Sequence, residues 1–211
     1  KWTNSAGVYT AGNQKLHFTF SFTDQESGIA GYQYAIGTSS TTTNVVGWQS
    51  LTSSTEVLHT GLTLDNGTTY YINVKSKNQA GLYSSIGVSD GIIYDKQPPD
   101  MTSVVLIPGY TYNSGSGLVY VNTTTVSFSW TNAMDTGSGV DGYYIKISTS
   151  ETGFDTVNDV WVTTTNYTFI GKHNSVYYAK IKGKDIAGNN TGSSDTPPDG
   201  YKTALYHVRV D

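Results

Sequence analysis

The chain has 211 residues, no cysteine, 12 basic and 16 acidic side chains, and a net charge of -4. The lack of cysteine excludes thiol catalysis and cysteine-ligated zinc. The sequence carries no clustered basic stretch of the kind that nucleic-acid binding requires, and no apolar run approaches the roughly 18 residues of a membrane span.

Apolar and polar residues alternate with a period of two through most of the chain. In chain order, the clearest stretches are 16–22, 72–77, 126–130 and 143–148. This period places one face of a β-strand on a core and the other in water. Short clusters of Gly, Asn, Asp and Ser separate the stretches, as turns require, and no segment shows a helical apolar stripe. The sequence therefore predicts an all-β protein made of antiparallel sandwiches.

Two segments of the sequence occur twice, in the same order. Residues 27–32, Ser-Gly-Ile-Ala-Gly-Tyr, return at 138–143 as Ser-Gly-Val-Asp-Gly-Tyr. Residues 69–75, Thr-Tyr-Tyr-Ile-Asn-Val-Lys, return at 176–182 as Val-Tyr-Tyr-Ala-Lys-Ile-Lys. Two copies of one domain are the simplest explanation of this repeat.

The boundary between the copies is predicted at the prolines 98–99, which stiffen an extended connection and lack backbone donors. We therefore predict two domains, 1–96 and 97–211. A second Pro-Pro pair at 197–198 is interpreted as a loop before the last strand of the second domain, because 204–211 resembles the end of the first copy.

The repeats resemble a known family. Residues 126–130, Val-Ser-Phe-Ser-Trp, followed by Gly-Tyr-Tyr-Ile-Lys-Ile at 142–147, resemble strands B and C of the fibronectin type III module. Tyr70 and Tyr177 stand where that family keeps its tyrosine corner. The resemblance covers most of both copies. It implies two tandem immunoglobulin-like (fibronectin type III-like) antiparallel β-sandwiches, of the form found in large microbial cell-surface or secreted proteins.

The first copy departs from this pattern at Phe22, where the family has a strand B tryptophan. The chain also lacks an Arg-Gly-Asp triplet, so integrin binding by that route is not indicated.

Acidic residues in the loops are the candidate metal ligands. Calcium takes six to eight oxygen ligands from carboxylates and carbonyls, and loops at one end of a sandwich can supply them. The alternative is that these side chains cap turns through nearby backbone N–H groups. The candidate ligands are Asp24, Glu26, Asp95, Asp100, Asp135, Asp141 and Asp185, with Asp141 expected in the same loop as Asp135.

Catalytic patterns are not apparent. The four histidines are scattered over different strands and loops and are interpreted as solvated surface residues, and nothing in the carboxylate spacing suggests a glycosidase cleft. The chain has no nucleophile elbow and no P-loop. We therefore predict a protein that is not an enzyme and has no cofactor, with calcium as the one open alternative.

Aromatic residues are abundant and have two interpretations. Tyr71, Tyr144 and Tyr178 fall on predicted outer faces, where they can either stack on sugar rings or stabilise the sheet through cross-strand pairs. Trp48 and Trp161 fall in matching segments of the two copies, so both are predicted to be structural.

The function expected from these observations is a non-catalytic extracellular spacer or adhesion module of a larger surface or secreted protein. A carbohydrate-binding accessory module of a secreted glycoside hydrolase is the alternative. The chain begins with Lys1 and no signal peptide, so we expect a piece of a longer protein. The expected partners are other domains of that chain, and a cell-surface protein or polysaccharide, at an extracellular or cell-surface location.

Overall fold

The structure is a computed structural model that describes residues 8–10, 14–110, 117–151, 155–191, 201–204 and 207–211. All regular structure in these residues is β-strand, which confirms the predicted all-β class. The described part of the chain contains no helix of the length and hydropathy that a membrane crossing needs. The chain divides into two compact units, Lys1–Lys96 and Gln97–Asp211.

The first unit consists of two sheets that face each other. The larger sheet has the strand order β1-β8-β6-β3-β4, with β7 paired to β6, and the smaller sheet pairs β2 with β5. The strands are β1 (Val8–Thr10), β2 (Leu16–Thr19), β3 (Ile29–Gly37), β4 (Val46–Leu51), β5 (Glu56–His59), β6 (Thr69–Asn78), β7 (Gly87–Val88) and β8 (Ile92–Tyr94).

The core of the first unit is built from the alternating apolar residues of both sheets. Leu16 and Phe18 from β2 are buried in the same cluster as Ile36, Ile72 and Val74 from the larger sheet. Strand β2 ends at Thr19, before the alternation does, and Phe22 packs against the cluster from beyond the strand. The sequence period thus predicted the buried face correctly and the strand end too late.

The second unit repeats this plan. Its larger sheet has the order β10-β17-β15-β12-β13, with β16 paired to β15, and its smaller sheet has the order β14-β11-β9. The strands are β9 (Leu106–Pro108), β10 (Leu118–Val121), β11 (Thr125–Trp130), β12 (Val140–Ser148), β13 (Val157–Val162), β14 (Asn166–Ile170), β15 (Ser175–Asp185), β16 (Lys202–Thr203) and β17 (His207–Val210).

Trp130 lies in the core of the second unit, as the resemblance implied. It is buried with Phe128 and Val126, and its ring meets that of Tyr143 edge to face, with centroids 5.5 Å apart. The chain after Thr203 runs into β17 within this unit, as predicted for the last strand. The prolines 197–198 lie outside the described residues.

The repeated Ser-Gly-x-x-Gly-Tyr segment builds the same junction between turn and strand in each unit. Gly28 and Gly139 have φ angles of +77° and +86°, a region that favours glycine. Three residues later, a Cβ at Gly31 or Gly142 would lie 2.9 or 2.6 Å from a backbone oxygen of the neighbouring strand. Backbone geometry therefore accounts for both glycines of the repeat.

A tyrosine corner is present in each unit. The backbone N–H of Asp65 donates to the hydroxyl of Tyr70 at 2.7 Å, and that of Lys172 donates to Tyr177 at 2.6 Å. Both rings are buried. This arrangement, together with the two facing sheets, matches the fibronectin type III-like sandwich that the sequence predicted for each copy.

Candidate functional site

In the first unit, the candidate ligand Asp24 closes a turn before β3. Its Oδ1 accepts hydrogen bonds from the backbone N–H groups of Ser27 at 2.8 Å and Gly28 at 3.0 Å. Its Oδ2 accepts from the side-chain amide of Asn78 at 3.2 Å. These bonds favour the ionised form and lower the pKa of Asp24, the one from Ser27 most strongly. Asp24 therefore has the turn-capping geometry that the sequence left open.

The second unit has two carboxylates where the first unit has a carboxylate and an amide. Asp135 corresponds to Asp24, and its Oδ1 accepts from the N–H groups of Gly137 and Gly139 at 3.0 and 2.7 Å. Asp185, the last residue of β15, occupies the place of Asn78 and is fully buried. Carboxylate oxygens of Asp135 and Asp185 lie within 4.8 Å of each other.

This pair of carboxylates is the candidate cation site. Asp185 also accepts hydrogen bonds from the backbone N–H and the side-chain amide of Asn189, each at 2.7 Å. Two carboxylates at this separation repel each other, so a cation between them is favourable. An all-oxygen donor set suits calcium better than it suits zinc.

The other predicted ligands differ in burial and in their hydrogen bonds. Glu26 and Asp100 are exposed, and Asp100 accepts a hydrogen bond from the N–H of Thr102 at 2.8 Å, within a turn. Asp95 is fully buried at the end of the first unit. The expectation that Asp141 lies in the loop with Asp135 is wrong. Asp141 is the second residue of β12, which starts at Val140. Its carboxylate forms an ion pair with Lys184.

On the outer face of the larger sheet of the first unit, lysine side chains lie over aromatic rings. The Nζ of Lys75 is 4.2 Å from the centroid of the Trp48 ring and 4.7 Å from that of Tyr83. The Nζ of Lys77 lies 5.7 Å from the Tyr83 ring. Tyr83 is held against β6 by a backbone bridge to Lys77 and is half exposed. We call Trp48, Lys75, Lys77 and Tyr83 the lysine–aromatic face.

The matching face of the second unit has more aromatic contacts. The rings of Tyr144 and Trp161 have centroids 4.9 Å apart. Lys182 lies 5.0 Å over Tyr144 and Lys184 lies 5.1 Å over Trp161. Neither tryptophan of the matching pair is part of a buried core cluster. The structure thus places Trp48 and Trp161 on outer sheet faces, where the ammonium groups of Lys75 and Lys184 lie over their rings.

The sequence contained part of the signal for these faces. Lys75 and Lys77 alternate with the buried residues Val74 and Ser76, and that alternation marks them as outward-facing. The tryptophan partner was not predictable, because the period of one strand carries no information on which residue of another strand lies beside it.

Two of the histidines differ from the predicted solvated state. The Nδ1 of His59 lies 2.8 Å from the hydroxyl of the buried Tyr34. The ring of His207 lies against that of Tyr178, with centroids 4.2 Å apart and planes tilted by 43°, and burial lowers the pKa of His207. His17, by contrast, is exposed and pairs with Glu56. Among the described residues, no group of three potential metal ligands includes a histidine.

No family model matches the chain, and no curated protein matches it. Among solved structures, the chicken CNTN1 FN1-FN3 domains are similar at a TM-score of 0.48 and 18% identity, covering 97% of this chain and 66% of that chain. A multi-domain segment of titin is similar at 0.49 and 15% identity, covering 99% of this chain and 62% of that chain. The chain spans less than two thirds of the length of each, and neither likeness assigns it a function.

Proposed function

We propose that this chain is a non-catalytic, load-bearing spacer or adhesion segment of a larger extracellular or cell-surface protein. One observation carries the proposal. In each unit, an early strand pairs in parallel with the last strand: β1 with β8, and β10 with β17. Tension applied at the two ends of a unit pulls such neighbours in opposite directions along their length. The hydrogen bonds between them are then loaded together rather than one at a time.

Single-molecule pulling tests this role on the second unit within the full chain. The chain has no cysteine, so an engineered Asn122→Cys gives a unique attachment point directly after β10. Pulling between residues 97 and 211 loads β9 first and then shears β10 along β17, whereas pulling between residues 122 and 211 peels β10 from β17 from one end. We expect a clearly higher rupture force in the first geometry. Equal forces would contradict a load-bearing role.

The extracellular location and the microbial source are part of the same proposal. They are supported by the charged fraction of only 13%, the lack of cysteine, and the resemblance to repeats of microbial surface proteins. Brief protease treatment of intact source cells is the test. Peptides of this chain should be released without lysis, and their appearance only after lysis would contradict the location.

Carbohydrate binding, as an accessory module of a secreted glycoside hydrolase, is a second candidate function. The observation that favours it is the pair of rings of Tyr144 and Trp161 on the outer face of the second unit, together with the half-exposed Tyr83 in the first. Aromatic faces with a polar rim are common in recognition surfaces. Retention of the full chain on a panel of insoluble polysaccharides is the measurement, and no retention on any of them removes this candidate.

We propose that Asp135 and Asp185 are ligands of a bound calcium ion. The supporting observation is the comparison of the two units. In the first unit, Asn78 donates a hydrogen bond to Asp24. In the second unit, the residue at the place of Asn78 is Asp185, which adds a second negative charge beside Asp135. We expect added calcium to raise the melting temperature of the wild type. Asp185→Asn restores the pairing of the first unit, so that variant should melt higher than the wild type in chelator and gain little from calcium. Equal responses of both proteins to calcium would contradict the proposed ligands.

A further inference from the structure

The lysine–aromatic face of the first unit carries positive charge that no carboxylate of the described residues neutralises. Lys75 and Lys77 contact the rings of Trp48 and Tyr83, and within the described part of the chain neither lysine forms an ion pair. A lysine over a ring retains its full charge, because the ring contributes only a quadrupole. An anion approaching this face therefore meets two ammonium groups that are not already paired.

The second unit provides the comparison, because its matching lysines are already paired. Lys184 lies 3.2 Å from a carboxylate oxygen of Asp141, and Lys182 lies 3.8 Å from Asp159. The repeat aligns Lys75 with Lys182 and Lys77 with Lys184, and it aligns Asp141 with Ala30. The first unit thus keeps the two lysines without the acidic partners, which makes its face the one suited to an external anion.

The surroundings of the face are accessible and mixed in polarity. Tyr83 is 50% exposed and its neighbour Leu82 is 69% exposed, so a ligand can reach the ring without displacing the core. Gln33 lies on the adjacent strand, in register with Lys75, and its side-chain amide donates to the hydroxyl of Ser50 at 3.2 Å. Amide and hydroxyl groups here can exchange that bond for bonds to sugar hydroxyls.

We propose that the lysine–aromatic face binds an anionic polysaccharide, with its carboxylate or sulfate groups on Lys75 and Lys77 and a sugar ring against Tyr83. This inference rests on the second candidate function, carbohydrate binding. A polysaccharide fits because it presents apolar ring faces, hydroxyl groups and repeated negative charges together, which are the three chemistries that this face offers. Because Lys75 and Lys77 make the face positively charged, charge complementarity favours an acidic polymer over a neutral one.

The test is affinity electrophoresis of the full chain in gels that contain polygalacturonate, dextran or poly-L-glutamate. We expect retardation by polygalacturonate, little by dextran, and weaker retardation by poly-L-glutamate. The double variant Lys75→Gln/Lys77→Gln should weaken polygalacturonate binding at least about tenfold, a change of ~1.4 kcal/mol in binding free energy. Tyr83→Ala should weaken it too, with no change in the charge of the protein.

Two matched controls separate this site from general electrostatics. Lys15→Gln/Lys96→Gln removes the same charge from exposed positions elsewhere in the first unit, and Tyr120→Ala removes an exposed ring from the second unit. Both should bind like the wild type, and melting curves should show that every variant is folded.

Each other outcome overturns a distinct part of the inference. If polygalacturonate does not retard the chain, this site is wrong, and retention on the insoluble polysaccharides decides separately whether carbohydrate binding stands. Binding to polygalacturonate that does not respond to Lys75→Gln/Lys77→Gln leaves carbohydrate binding in place and overturns the site. Poly-L-glutamate that binds as tightly as polygalacturonate overturns the polysaccharide as the occupant. The rupture forces measured by single-molecule pulling test the spacer role alone, so they do not change any of these conclusions on carbohydrate binding.

Discussion

Two tyrosine hydroxyls fix the turn that precedes the longest strand of each unit. The hydroxyl of Tyr177 accepts from the N–H of Lys172, so Tyr177→Phe leaves that donor without its partner. We expect a loss of about 1 to 2 kcal/mol in the free energy of unfolding, measured by urea denaturation. Tyr178→Phe, on the outer face of the same strand, is the matched control and should change stability little. Similar losses in both variants would contradict the corner as the cause.

His207 gives the second unit a pH dependence with a definite sign. Burial lowers its pKa below the ordinary value of 6.5, an effect that nearby Glu151 partly opposes. The folded state therefore binds this proton less readily than the unfolded state, and the neutral ring contributes stability that is present above about pH 6.5. Acidification from that value through the folded-state pKa should remove this contribution.

The measurement for His207 is the melting temperature at pH 7.5 and at pH 5, compared between the wild type and His207→Phe. Phenylalanine keeps a ring against Tyr178 but cannot take up a proton. The wild type should lose more stability on acidification than the variant does. If the two proteins lose the same amount, the pH dependence arises from other groups.

Each repeated junction between turn and strand needs glycine at two positions for different reasons. In Gly139→Ala, the added Cβ has room, but φ of +86° is strained for alanine, and the cost should be about 1 to 2 kcal/mol. In Gly142→Ala, the Cβ meets the Val162 backbone oxygen at 2.6 Å, so β12 and β13 must separate, at about 2 to 3 kcal/mol. Gly47→Ala, with open space and no positive φ, should be near neutral.

Strand existence and buried faces were predictable from the sequence, because a period of two is a property of consecutive residues. Tyr143, Ile145 and Ile147 are buried as predicted, and Tyr144 and Lys146 lie on the other face. Strand ends were less predictable. Phe22 continues the apolar alternation beyond β2, because a side chain can reach the core without strand pairing.

The candidate sites were predictable only in part, for a related reason. Aligning the copies pointed to Asp135 and Asp185, since acids in matching loops are visible in the sequence. The distance between these carboxylates depends on how the end of β15 lies beside the turn before β12, and no local pattern encodes it. The same limitation applies to Lys75 and Trp48, which come together only through the pairing of β3 with its two neighbours.

At the scale of the whole chain, the prediction of two domains, 1–96 and 97–211, leads to a test of independent folding. Each unit has its own buried cluster, with Ile72 in the first and Ile181 in the second, both fully buried. Ile181→Ala should destabilise the second unit by about 2 to 5 kcal/mol. Hydrogen exchange should then show lost protection in 97–211 while 1–96 keeps its own. Ile72→Ala is the reciprocal variant, and loss of protection throughout the chain in either variant would contradict separate domains.

The parallel pairing of early and last strands also sets the order in which a nascent chain can fold. A chain that emerges from its N-terminus presents β1 early, yet the neighbour of β1 in the sheet is β8, at Ile92–Tyr94. The first unit therefore cannot close until almost all of its residues have emerged. The prolines 98–99 follow directly, and the strands of the second domain emerge only after them. The first domain can therefore be completed during synthesis before those strands are available to compete with it.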